Sequence, residues 1–182
     1  MSQKFERGPE NRSLPWIVGQ RQGTDLYLEG YHLPTVHKGL FSELDYSKYQ
    51  TKTFKWFSEQ IAPTKRSASI YTSRDSGARY FWLFPNTMFN IYEGIVQTNM
   101  VLPISHDRCV VRFSWYGKSD KISAHNDTMV HFSDEIQEED RLICEQVQQN
   151  LNSQTYISGR YSLKRENGVH HFHHLISGCY AQ

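Results

Sequence analysis

The sequence predicts one α+β domain, and three features carry that reading. Three segments between Tyr80 and Tyr116 are rich in β-branched and aromatic residues and are separated by short, turn-like breaks. Apolar residues at 136, 143, 147 and 151 recur with the period of a helix face. Val169, Phe172, Leu175, Ile176 and Tyr180 form a second stripe that suits a closing amphipathic helix. At 182 residues the chain is long enough for one hydrophobic core and short for two. Its 38% apolar and 14% aromatic content argues for a bulky packed interior against disorder.

In chain order, residues 1–24 are low in periodicity and punctuated by Gly8, Pro9, Pro15, Gly19 and Gly23, so they read as a poorly ordered arm, with the folded domain over 25–182. Asp25 to His32 is predicted helical, broken by Pro34, which disfavours α geometry at Leu33 and removes a backbone donor. Phe41 to Ile61 mixes aromatics with charges and is expected to be partly irregular, partly helical; Pro63 to Ser69 is expected to be a basic loop. The strands are Tyr80–Phe84, Thr87–Leu102 with a break near Glu93-Gly94, and Cys109–Tyr116; their short connections favour antiparallel pairing. Ser119 to Ser133 is expected to be a polar connection, with a helix opening at Ser133-Asp134-Glu135. Gln154 to Lys164 reads as a turn or short extended piece.

Twenty basic and nineteen acidic side chains leave a net charge of +1, so no basic excess marks a binder of nucleic acid or anionic membranes. No apolar run approaches a membrane span and no signal-peptide pattern opens the chain, which points to the cytoplasm. Cys109, Cys144 and Cys179 are isolated and odd in number, as expected of reduced thiols.

The candidate chemistry centres on Leu28-Glu29-Gly30-Tyr31-His32-Leu33-Pro34-Thr35-Val36-His37. On one unbroken helix, residues five apart diverge by roughly 140°, so His32 and His37 need the Pro34 turn to meet. On a helix, Glu29 would share the face of His32. Far downstream, Asp140 falls on the stripe 136, 140, 143, 147, 151, which should face the interior. An unpaired carboxylate there is costly, so Asp140 either meets a donor, a cation or a metal, or sits at the stripe's edge. Two imidazoles and one carboxylate from separate elements are what a facial ferrous site requires, though zinc accepts the same donors. His170, His171, His173 and His174 diverge around a helix, and His125, Asp127 and His131 are expected in a solvated loop. No zincin, phosphate-loop, dinucleotide or nucleophile-elbow motif is present.

The Leu28–His37 segment resembles the iron-binding segment of the large (alpha) subunits of Rieske-type aromatic-ring-hydroxylating oxygenases. Phe84-Pro85-Asn86 with Asn90, Thr98 to Pro103, Glu139-Asp140, Cys144 to Gln148, Gly159-Arg160-Tyr161-Ser162 and Phe172-His173 resemble further segments of that family, in its order. The resemblance runs from about Asp25 to Tyr180. It implies a helix-grip fold, a curved antiparallel sheet wrapped around a long helix. It implies that His32, His37 and Asp140 hold mononuclear Fe(II), and that Glu29 is the carboxylate linking the iron to a neighbouring subunit's Rieske [2Fe-2S] cluster. The implied activity is dioxygenase or monooxygenase chemistry on a small organic substrate. Aromatic compound catabolism is the implied setting, with electrons from a ferredoxin and reductase and a homotrimeric assembly. The aromatic side chains suit either an arene pocket or a quaternary-ammonium cage.

Two features depart from the family. The paired Cys-x-His and Cys-x-x-His motifs that hold the cluster do not occur in this sequence, so the chain corresponds to the catalytic half, as expected either of a truncated or frame-shifted gene product or of a split system whose cluster comes from another polypeptide. Leu26 stands where the family carries an amide near the metal's open position. These departures motivate a competing reading, a catalytically silent or ligand-binding helix-grip module.

Overall fold

The computed structural model describes residues 6–7, 12–16, 19–65, 78–92, 95–117, 119–153 and 155–181. Eight strands form one antiparallel sheet: β1 (Glu6–Arg7), β2 (Arg12–Trp16), β3 (Gln50–Thr53), β4 (Phe57–Ala62), β5 (Ala78–Leu83), β6 (Thr87–Tyr92), β7 (Ile95–Ser105) and β8 (Arg108–Gly117). From β3 to β8 each strand pairs with its sequence neighbour, and both β1 and β2 add to the outer edge of β8. The helices are α1 (Gln20–Tyr27), α2 (Lys38–Glu43), α3 (Ser119–Asn152) and α4 (Asn167–Tyr180).

The sheet is buried on one face. On β7, Ile95, Gln97, Asn99 and Val101 are buried while Val96, Thr98 and Met100 are not, the period-2 alternation of a half-covered antiparallel sheet. Two apolar clusters fill the covered side. One joins Trp82, Met88, Val101 and Phe113 of the sheet to Leu28, Cys144 of α3, and Val169 and Phe172 of α4. The other joins Ile95 and Trp115 to Leu33, Leu40 and Leu44, with Val130, Phe132 and Ile136 of α3 packed against it. A long helix seated on a one-sided antiparallel sheet is the helix-grip arrangement.

The three expected strand regions and the closing helix are present; β7 runs through Pro103 to Ser105, with a register shift where that ring breaks the ladder. Residues 93–94, where a break was expected, lie outside the described residues, as do 66–69 of the expected basic loop. Four expectations change. The described parts of the expected N-terminal arm are strands on β8, and α1 begins at Gln20, inside the stretch assigned to that arm. The helix expected over 25–32 ends at Tyr27, so neither Glu29 nor His32 is helical. The connection expected over 119–133 belongs to α3, and the polar sequence there hid the helix. The irregular stretch expected before Ile61 contains β3 and β4, and β4 lacks an apolar alternation because its buried residues include Ser58, Glu59 and Gln60, with Glu59 ion-paired to Arg79 on β5.

Glycines set two close approaches beside the histidine segment. Gly30 faces the Tyr49 ring, where a Cβ would stand 2.7 Å from it, and its carbonyl accepts from the Tyr46 hydroxyl at 2.8 Å. Gly168, at the start of α4, lies against the Leu28 backbone carbonyl, where a Cβ would collide. Gly168→Ala is therefore expected to destabilise the domain by about 1–3 kcal/mol through overpacking, read as a lowered urea midpoint.

Candidate metal centre

His32 sits in the turn after α1, His37 caps α2, and Asp140 lies midway along α3. Pro34 opens a single helical turn in which His32 O accepts from Thr35 N and Val36 N, both at 2.9 Å, and Leu33 O accepts from His37 N at 3.2 Å. A proline is tolerated at such a first turn because its missing N–H would have no partner there. The turn folds the two imidazoles together, with ring centroids 4.8 Å apart and planes at 80°.

Each imidazole is held at Nδ1 by a carboxylate. Glu29 Oε1 contacts His32 Nδ1, while Glu29 Oε2 accepts the backbone N–H of Tyr31 and, at 3.1 Å, of His32. His37 Nδ1 donates to Glu139 Oε2 at 2.7 Å. Both Nε2 atoms then face Asp140 Oδ1, 2.8 Å from His37 and 3.8 Å from His32. Among the described residues, His32, His37 and Asp140 are the one group of three or more ligating side chains gathered closely enough to share an ion, their donor atoms all within 4.8 Å of one another. Asp140 Oδ1 is buried and accepts no well-formed hydrogen bond. With Nδ1–H committed to Glu139, the His37 lone pair and the Asp140 oxygen face each other, and a cation resolves that opposition. A proton responds to the same field. Burial of His37 favours its neutral form, but the adjacent carboxylate of Asp140, joined by Glu139, outweighs it and raises the imidazole above its ordinary value of 6.5.

A cavity of about 90 Å³ adjoins the cluster, walled by rings including Tyr49, Tyr80, Tyr92, Trp115 and Phe132. Leu26, at the departing position, lines it too, and among the described residues no lysine or arginine does. Its inner wall is a hydrogen-bonded row. Tyr27 hydroxyl donates to Asn90 Oδ1 at 2.7 Å, Asn90 Nδ2 to Gln97 Oε1 at 2.8 Å, and Gln97 Nε2 to Ser133 Oγ at 2.9 Å. Burial raises the Tyr27 and Tyr49 phenols well above their ordinary range, so both stay neutral donors.

The other histidines are dispersed. His173 bridges Asp25, at 2.7 Å, and the Tyr161 hydroxyl; His171 packs edge-on against Trp82. His125, Asp127 and His131 lie on α3, not in a loop; His131 is exposed, and the side chains of the other two are outside the described set. Composition gave no role to Glu139 or to the amide row. The readable signal for this polar wall was Gln97 and Asn99 at alternate positions between Ile95 and Val101, polar residues in inward slots of a strand.

A helix-grip domain with two histidines and a carboxylate clustered beneath an aromatic cavity defines a class of protein. The chain belongs to the ring hydroxylating alpha subunit (catalytic domain) family, whose model matches residues 23–182. It is 39% identical over 159 residues to a chloroplastic choline monooxygenase of Arabidopsis thaliana, covering 84% of this chain and 37% of that protein. It is 25% identical to the carnitine monooxygenase oxygenase subunit of Escherichia coli K12, covering 84% of this chain and 44% of that one. A solved quaternary ammonium Rieske monooxygenase superposes with a TM-score of 0.82 at 20% identity, over 98% of this chain and 51% of its own. The chain thus spans less than half the length of the curated relatives it matches.

The raised His37 pKa gives the metal-free protein a signed pH dependence. A folded-state pKa above the unfolded one adds stability below pH 6.5 that is lost as pH rises through the folded value. Urea midpoints of metal-free protein should fall between mildly acid and mildly alkaline pH, and His37→Gln should flatten that contribution.

Proposed function

We propose that this chain is the catalytic domain of a mononuclear-iron monooxygenase acting on a small alcohol that carries a quaternary ammonium group, as choline does. The observation that carries the proposal is the convergence of two Nε2 atoms and an orphaned, buried carboxylate oxygen at one edge of an aromatic cavity. His32, His37 and Asp140 would hold Fe(II); imidazole nitrogen with one carboxylate oxygen is the donor set of ferrous oxygenase sites. When bound, the iron supplies dioxygen activation, drawing electrons from a Rieske [2Fe-2S] cluster carried outside this sequence. One oxygen atom enters the substrate and the other leaves as water, which takes two electrons and two protons from outside.

The chain's own residues position and enclose. Glu29, fixed by two backbone N–H groups, orients His32 and stands where the resemblance places the electron path from a neighbouring subunit. That path requires an assembly, and the homotrimer belongs to this proposal, as do a ferredoxin and reductase. The rings suit a permanent cation through their faces, and the carboxylates at the cavity's edge reinforce that preference. The absence of lysine and arginine among the described lining residues disfavours a substrate carboxylate, which favours a choline-like over a carnitine-like molecule. Asn99 lines the cavity with a buried Oδ1 that has no partner among the described residues, an acceptor suited to a substrate hydroxyl. The relatives are named as choline and carnitine monooxygenases, so the expectation of arene dioxygenation and aromatic catabolism gives way to monooxygenation. No described helix is long and apolar enough to cross a membrane. The plant relatives are named chloroplastic, which favours a plastid over the cytoplasm for this chain.

Anaerobic reconstitution is expected to load one ferrous ion per chain, with His32→Ala and Asp140→Ala reduced to background in metal analysis. No stoichiometric iron in the wild type would remove the proposal. Supplied with a Rieske-domain donor, ferredoxin and reductase, the loaded protein should consume oxygen with choline and far less with carnitine. Equal rates on the two would refute the reading of the cavity's charge.

A further inference from the structure

We propose that Glu139 is a positioning residue for the metal centre: it fixes the tautomer and orientation of His37 from the surface side of α3. The inference rests on the reading of His32, His37 and Asp140 as metal ligands. Its basis is a juxtaposition which the apolar stripe of α3 does not reveal. Consecutive residues of a helix diverge by about 100°. Here that divergence straddles one imidazole, with Glu139 Oε2 2.7 Å from His37 Nδ1 and Asp140 Oδ1 2.8 Å from Nε2. His37 is 1% exposed, and no other described group accepts from its Nδ1. Without Glu139 that N–H would be buried and unpaired, or the proton would move to Nε2 and remove the lone pair a metal needs.

Glu139 has little else to do. Its side chain is 43% exposed, and the neighbouring cation, Arg141, is turned to Glu138 and Glu145, the latter at 2.8 Å. The Glu139 carboxylate therefore stays uncompensated by a basic side chain among the described residues, with its charge directed at His37. Carboxylate acceptance of a ligand's second N–H raises the basicity of the ligating nitrogen and locks the ring. The two histidines are thus supported differently. The Glu29 carboxylate is pinned by backbone and belongs to the His32 side; Glu139 hangs from α3 and ties His37 to the helix that also supplies Asp140. One helix thereby fixes both sides of one imidazole.

The experiment compares the full chain with Glu139→Ala and Glu139→Gln. Anaerobic Fe(II) and Co(II) titrations give affinity, and the visible bands of the Co(II) form report the ligand field. Circular dichroism and urea midpoints of the metal-free chains report folding. Glu139→Ala is expected to weaken metal binding by about 10–100-fold and shift the Co(II) bands, with folding retained at this half-exposed position. Glu139→Gln, whose side-chain carbonyl still accepts from Nδ1–H, should recover much of the affinity and the wild-type bands. Wild-type affinity and an unchanged spectrum in Glu139→Ala would overturn the proposal while leaving the ligand assignment intact. A Gln variant no better than Ala would overturn it as well. Failure of the wild type to bind either metal would overturn both the proposal and the ligand assignment.

Discussion

Most of this domain is arranged around one electrostatic problem: His32, His37, Glu29, Glu139 and Asp140 are gathered at the edge of an apolar cavity, three of the five being carboxylates. Taking such charge from water costs several kcal/mol per ion unless opposite charge meets it. The carboxylates are therefore either paired with imidazole N–H groups or aimed at the point where a cation belongs. That constraint explains why the segment from Leu28 to His37 is held so firmly. Leu28 is fully buried, Gly30 is pressed on Tyr49 and bonded by Tyr46, and Gly168 lets α4 lie directly on the Leu28 carbonyl. A loop free to relax would let the imidazoles part and the carboxylates return to water.

The inner wall of the cavity obeys a second rule. Gln60, Asn90, Gln97 and Asn99 occupy inward positions of a sheet that elsewhere buries Trp82, Met88, Val101 and Phe113. Polar residues there weaken the core unless satisfied. Gln60 bonds the Tyr49 hydroxyl and the Tyr27 carbonyl, and the row from Tyr27 to Ser133 satisfies Asn90 and Gln97; its direction is fixed, since the neutral Tyr27 phenol donates into it and each amide passes a donor on. Asn99, outside the row, keeps an unpaired oxygen at the cavity. At a cavity wall, such an unpaired acceptor suits an occupant that supplies the missing donor.

The α+β class, the three central strand regions, the closing helix and the inward placement of Asp140 were legible from periodicity, because each rests on apolar repeats of period 2 or 3.6. The two histidines were legible as a pair only through Pro34, whose effect on the backbone is local and nearly independent of context. The assignment of three ligands to iron and of Glu29 to the electron path came from the resemblance, not from spacing. What stayed hidden was set by tertiary partners. β4 looks like a loop because its inward residues are polar and find Tyr27 and Arg79 as partners. The first third of α3 looks like a connection because its sequence is mostly polar. Glu139 received no role of its own, since nothing in a helical wheel says that a buried imidazole lies beside it.

The register of α3 is what holds these parts together. Turning that helix by a single residue would swing Asp140 through about 100°, away from both Nε2 atoms, and carry Glu139 from Nδ1. Two separate anchors oppose such a slip. Toward the N-terminal end, Val130, Phe132 and Ile136 pack on the cluster containing Trp115 and Leu40; toward the C-terminal end, Cys144 is buried among Leu28, Val101 and Phe172. Gln148, one turn further on, accepts the backbone N–H of Gly19 at 3.0 Å and so ties α3 to the start of α1. Asp140 lies between these anchors, and the same α1 leads directly into the segment that bears Glu29 and His32. The long helix and the histidine turn are therefore fixed to each other from both sides of the site. That is the condition under which ligands drawn from sequence positions more than a hundred residues apart can meet with bond-length accuracy.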